Sequence, residues 1–133
     1  VDLDRFKLVN DTWGHALGDE LLRRLAKQLV ASVREGDVIA RFGGDEFAVI
    51  MRDVQDILDV ERTAMSILDA TSRPMSLSVG AVTVGACVGV AMVASGEVKT
   101  PDMMFDAADR ALYDAKHGGR GRFVLGDGAC VAD

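Results

Sequence analysis

Two glycines followed by two carboxylates form the segment of greatest chemical potential, Arg41-Phe42-Gly43-Gly44-Asp45-Glu46-Phe47-Ala48-Val49-Ile50. Apolar runs flank it and read as two strands, Val38 to Phe42 and Phe47 to Met51. Gly43-Gly44 then stands where a tight hairpin turn needs positive φ, and a glycine turn lets a backbone approach a phosphate closely. Asp45 and Glu46 offer hard oxygen ligands or an acid/base group. A plain hairpin tip carries the same residue types, so these ten residues leave both readings open. A second acidic group, Asp2 and Asp4, opens the chain. Two residues apart on a strand end, both carboxylates point to one face. Facing the hairpin, they suit magnesium, which takes one or two carboxylates plus substrate phosphates. An acidic loop leading into a helix is the alternative.

The elements that must hold these groups follow from periodicity. Leu21, Leu22, Leu25, Leu29 and Val33 make one apolar stripe on a helix expected from Leu17 to Arg34, with Asp19 and Glu20 in its first turn. The hairpin spans Val38 to Met51. A second helix is expected from about Val54 to Thr71, with Ile57, Leu58, Ala64, Ile67 and Leu68 inward and Pro74 as its stop. Leu77 to Ala94 reads as one or two strands. Thr100-Pro101 opens the last helix, Gly118-Gly119 closes it, and Arg122 to Leu125 forms a short final strand. The order predicts an α+β fold with helices packed on a largely antiparallel sheet.

Composition narrows the function classes. The chain has 133 residues, 49% of them hydrophobic, enough for one domain with its own core. A net charge of −6 argues against general nucleic-acid binding. Cys87 and Cys130 make no disulfide framework, which fits a reducing cytoplasm, with Cys87 read as a buried thiol. No segment is long and apolar enough to span a membrane, since Gly85 and Gly89 interrupt the richest one, Ala81 to Ala94.

The run from Asp2 to Asp19, Arg41 to Phe47, Val88-Gly89-Val90-Ala91, and Ala108 to Arg120 together resemble the GGDEF family of diguanylate cyclases. The likeness extends from Val1 to about Leu125. It implies a palm-like (ferredoxin-like) nucleotide-cyclase fold whose first strand is largely missing here. The expected domain is 1–125, incomplete at its N-terminus and leaving Asp2 on a frayed end, with 126–133 a tail or linker. The implied activity condenses two GTP into cyclic di-GMP and pyrophosphate across a homodimer. Two magnesium ions per site, with manganese as a substitute, are implied at Asp2, the Leu3 carbonyl, Asp45 and Glu46. Glu46 is alternatively the base for the 3′-hydroxyl.

The same likeness assigns guanine recognition to Asn10 and Asp19, a nucleotide-facing place to His15, and close backbone approach to Gly43 and Gly44. Lys116 and Arg120 become a triphosphate clamp. Read without it, Asn10 is a turn former, Asp19 a helix first-turn residue, and Lys116 a solvated helix-end cation. Arg34-Glu35-Gly36-Asp37 matches the family's inhibitory product site, where Arg34 forks onto a phosphate or stacks on guanine and Asp37 accepts from the base edge. Arg62 is a candidate second inhibitory arginine. Sensor or phosphodiesterase domains are the implied neighbours in a longer protein. A catalytically inactive module binding GTP or cyclic di-GMP is the alternative function, and an ATP cyclase or polymerase palm a third.

Overall fold

The structure is a computed structural model and describes residues 1–126. The expected tail, with Cys130, lies outside the described residues apart from Gly126. Eleven elements follow in order: β1 (Asp2–Leu3), α1 (Phe6–Trp13), α2 (His15–Ser32), β2 (Val38–Arg41), β3 (Phe47–Ile50), α3 (Ile57–Ser72), β4 (Met75–Leu77), β5 (Gly80–Val82), β6 (Ala86–Val90), α4 (Pro101–His117) and β7 (Phe123–Leu125). The α+β expectation holds.

β6 is the spine of the sheet. It pairs antiparallel with β1, Asp2 opposite Cys87, and parallel with β7, Val88 opposite Phe123. β2 and β3 form the expected hairpin, closed by the Arg41–Phe47 pair. That hairpin joins the free flank of β1 through the bridge between Asp2 and Glu46. The Val1 and Phe47 backbones exchange two hydrogen bonds there, at 2.8 and 2.9 Å. The strand order across this assembly is therefore β2-β3-β1-β6-β7. Asp2 is pinned on both sides, contrary to the expected frayed end, because β1 is central despite being two residues long.

Alternation along β6 separates two cores. Ala86 and Val88 join Leu3, Phe47, Ile67 and the α2 leucines in the larger one. Cys87 faces the other way, under Leu112 and Ala115 of α4. Leu21, Leu25 and Leu29 are fully buried, and each contributes about 1.5–3 kcal/mol by leaving water. α4 lies unusually close to the sheet. A Cβ at Gly89 would meet the Ala108 carbonyl oxygen at 2.1 Å and the Leu112 nitrogen at 2.4 Å. Only a residue without a side chain permits that approach.

Several expected boundaries move. α1 is a helix where no element is expected from the sequence, with Phe6 and Val9 buried three residues apart. α2 begins at His15, because Gly14 at φ 88° breaks it from α1. Asp19 consequently lies beyond the first turn, so the macrodipole does not account for it. α2 ends at Ser32, which places Arg34 in the following loop. α3 starts at Ile57 rather than Val54, because Asp56 caps it by accepting the Leu58 N–H at 3.0 Å. Leu58 is consequently exposed, and Val60 and Thr63 turn inward. Thr100 caps α4 in the same way, with Pro101 at the first helical position as expected. Leu77 to Ala94 resolves into the end of a β4–β5 hairpin, turned at Ser78-Val79, followed by β6. Among the described residues, no helix is long and apolar enough to cross a membrane.

Candidate active site

Strand pairing builds the acidic centre. The Leu3 N–H donates to the Asp45 carbonyl at 3.0 Å, and Asp2 stands opposite Glu46. The Asp2 and Asp45 carboxyl groups, forty-three residues apart in number, are thereby brought close enough to interact. Asp2 is buried, and Asp45 and Glu46 are half-buried. Partial burial pushes the Asp45 carboxyl above its usual range, and the neighbouring charge of Asp2 adds to the effect. Both causes disfavour another uncompensated negative charge at this place. Lys116 supplies the compensation. Near the end of α4, its ammonium forms a salt bridge to Asp2 Oδ2. That hydrogen bond is the main reason its pKa is raised, with the charges of Asp2, Glu46 and Asp45 adding and burial opposing.

The glycines serve this centre differently from the expectation. Neither Gly43 nor Gly44 adopts positive φ. The loop runs from Phe42 to Glu46, long enough to turn without a left-handed residue. Gly43 is needed for space, since a Cβ there would meet Glu46 Cβ at 3.1 Å and Oε2 at 3.2 Å. Gly44 has no neighbour within 4 Å of a built Cβ. Nothing among the described residues demands glycine at 44, and the space over that backbone is open.

Asp4, the other half of the opening acidic pair, has separate partners. It is buried and accepts from Arg120 Nη1 at 2.9 Å. The Cys87 thiol lies 3.5 Å from its Oδ1. Burial first, then the Asp4 charge, pushes that thiol up, which keeps it protonated. Lys116 and Arg120 thus both reach the β1 face, one on Asp2 and the other on Asp4. Arg120 is engaged by a buried carboxylate, a structural tie that the clamp expectation did not include.

A buried polar group lies at the α1–α2 crossing. Asn10 Oδ1 is buried with no hydrogen-bond partner among the described residues. A Cβ on Gly18 would come within 1.9 Å of it, so Gly18 is the space that seats the amide. His15 and Asp19 are exposed on α2. Arg34 and Asp37 close a turn on themselves: the Arg34 N–H donates to Asp37 Oδ2 at 3.0 Å and Nε lies 3.5 Å from the same oxygen. Arg34 Nη2 also donates to the Arg52 carbonyl at 2.9 Å. Arg62 lies on α3, exposed and paired with Asp59 at 3.7 Å.

Asp2, Asp45, Glu46 and Lys116 therefore converge. Asn10 with Gly18, Asp4 with Arg120, and Arg34 with Asp37 form their own groups. As placed, no three His, Cys, Asp or Glu side chains among the described residues are arranged to hold a metal ion. The donor chemistry nevertheless suits a hard cation, since carboxylate oxygens already balanced by an ammonium make up the cluster. Gly18 and Arg41 were not singled out in the sequence. Arg41, two residues before the glycines, donates from Nε to the Gly43 carbonyl and from Nη2 to the Gly44 carbonyl, both at 3.1 Å.

Comparison with known proteins agrees with this geometry. The family model described as "Diguanylate cyclase, GGDEF domain" matches residues 1–122. The chain is 41% identical over 126 residues to the probable diguanylate cyclase DgcE of Escherichia coli, covering 94% of this chain and 11% of that protein. It is 37% identical to the response regulator PleD of Caulobacter vibrioides, covering 93% of this chain and 28% of the relative. It thus spans less than a third of either relative. The GGDEF domain of TpbB from Pseudomonas aeruginosa superposes with a TM-score of 0.87 at 38% identity, covering 95% of this chain and 73% of that one. The GGDEF domain of DgcB from Caulobacter crescentus, solved in complex with c-di-GMP, superposes at 0.72 and 32% identity, covering 93% of this chain and 73% of that one. A match over nearly the whole chain, together with the acidic centre at the glycine hairpin, shows that the chain belongs to the GGDEF family of diguanylate cyclase domains.

Proposed function

We propose that this domain joins two GTP molecules into cyclic di-GMP and pyrophosphate, each of two facing copies holding one GTP. The observation that carries the reading is the β1–β3 pairing, which sets Asp2 beside Asp45 and opposite Glu46. Asp2, the Leu3 carbonyl, Asp45 and Glu46 are the groups to hold divalent ions, two magnesium per site with manganese as a substitute. Such ions supply charge neutralisation at the α-phosphate and the departing pyrophosphate. Lys116 must then leave Asp2, and its ammonium turns to the triphosphate with Arg120. Glu46, beside the open backbone of Gly44, is either a ligand to those ions or the base that takes the proton of the attacking 3′-hydroxyl.

Guanine is read by acceptors, because its N1–H and N2–H2 edge donates. Asn10 Oδ1 is a buried acceptor without a donor, which supports this role. Asp19 is the second acceptor and His15 lies on the same approach. Arg34 and Asp37 form the inhibitory product site. A sensor or a phosphodiesterase domain accompanies the domain in a longer cytoplasmic protein.

The test is incubation of the chain with Mg2+ and GTP, with nucleotides resolved by mass spectrometry. Cyclic di-GMP from the wild type, and none from Asp45→Ala or Glu46→Ala, is the expected result. The pairing of Asp2 with Lys116 favours a second reading, a module that binds GTP or cyclic di-GMP without turnover. Nucleotide binding with no product under these conditions selects it.

A further inference from the structure

We propose that Arg41 is a positioning residue that fixes the peptide planes presenting Asp45 and Glu46. The inference rests on the catalytic reading above but concerns a residue to which that reading gives no part. Four carbonyls lie in the loop between Phe42 and Phe47. Leu3 N–H holds the Asp45 carbonyl at 3.0 Å, and Phe42 N–H holds the Glu46 carbonyl at 3.1 Å. The remaining two, of Gly43 and Gly44, are both held by the single guanidinium of Arg41 at 3.1 Å. Among the described residues no other restraint bears on Gly44, which has ordinary φ and open space where a Cβ would stand. Two glycines in sequence are the most freely rotating peptides the chain can have.

The geometry of the peptide carries the consequence. With trans bonds throughout, a carbonyl turned toward Arg41 sends the next N–H the opposite way. Fixing the Gly43 and Gly44 carbonyls therefore fixes the N–H groups of Gly44 and Asp45, and with the Asp45 carbonyl held by Leu3 the free rotations left to Asp45 are those of its side chain. Among the described residues, Arg41 forms no ion pair, although Asp45 and Glu46 are four and five positions away. A planar fork suits two adjacent carbonyls, whereas a lysine ammonium reaches as a point charge.

The experiment compares Arg41→Gln and Arg41→Lys with the wild-type chain, and includes Asp45→Ala as a reference. In metal-free protein, Arg41→Gln should move the amide NMR signals of Gly43, Gly44 and Asp45 while those of the core strands stay. Mn2+ affinity without nucleotide should fall toward that of Asp45→Ala. In turnover, kcat should drop by about 10- to 100-fold with KM for GTP nearly unchanged, as expected for an ångström-scale misplacement. Arg41→Lys should recover only part of kcat. A rise in KM with kcat kept overturns the proposal, because it puts the guanidinium on substrate. Unmoved loop amides in Arg41→Gln also overturn it. If the wild type binds no Mn2+ and forms no product, the catalytic reading fails, while the amide signals still decide whether Arg41 holds the loop.

Discussion

Asn10→Ala separates recognition from packing because the two make opposite predictions. Asn10 Oδ1 is buried without a donor among the described residues, and such an acceptor costs about 1–3 kcal/mol. Alanine removes it and gains a further ~0.5 kcal/mol of helix propensity in α1. Against this stands the lost contact of the amide with Gly18, worth about 1 kcal/mol as a small void. The net is a stability raised by about 0.5–2.5 kcal/mol, which is roughly 2–10 °C in the thermal midpoint. Binding moves the other way. If Oδ1 accepts from guanine, its removal weakens GTP by about 1–3 kcal/mol, or roughly 5- to 150-fold. Thermal melts without nucleotide and calorimetric titration with a non-hydrolysable GTP analogue measure the two quantities. A midpoint lowered by several degrees together with an unchanged GTP affinity would falsify the reasoning, since Asn10 would then be an interhelical contact and nothing more.

Three further outcomes are expected. Asp45 binds its proton more tightly in the native state than in the unfolded chain, so native stability falls as pH rises from the unfolded carboxyl value through the raised native one. In the presence of chelator, Asp45→Asn should therefore melt higher than wild type at pH 7, and the gain should vanish below about pH 3.5; a gain that persists in acid counts against the raised pKa. Gly89→Ala forces a methyl group into the α4 backbone and should cost at least about 1–3 kcal/mol in denaturant titration, whereas wild-type stability would show that α4 can slide away freely. Arg34→Ala should abolish inhibition by added cyclic di-GMP and leave the initial rate intact, and loss of turnover in a folded variant would unite the two sites that the reading separates.

The parts of the fold visible in the sequence were those with long, regular patterns. The leucine stripe of α2 and the proline-opened α4 are local signals, and both helices are present, α2 displaced by two residues toward the N-terminus at each end. α1 was lost because eight residues carrying two inward apolar groups give too little periodicity, and its preceding Arg5 offers no side-chain cap. The site residues were visible as types and as a family likeness, but their pairing was not. That Asp2 stands opposite Glu46, or that Arg120 is tied to buried Asp4, depends on strand register and on a contact across 116 positions. The Gly43-Gly44 error has a similar origin. Glycine served there for space around Glu46 and for an open backbone, whereas turn chemistry alone points to positive φ.

The intimate seat of α4 on β6 makes that helix a lever. Its closest approach to the strand lies at Ala108 and Leu112, and Lys116 follows Leu112 by one turn, about 6 Å along the axis. A tilt of about 10° around that fulcrum swings the lysine by roughly 1 Å, a displacement that can change a rate by about 100-fold. Anything that leans on the outer, exposed side of α4 thus has a short mechanical route to the cation beside Asp2, without touching the centre itself.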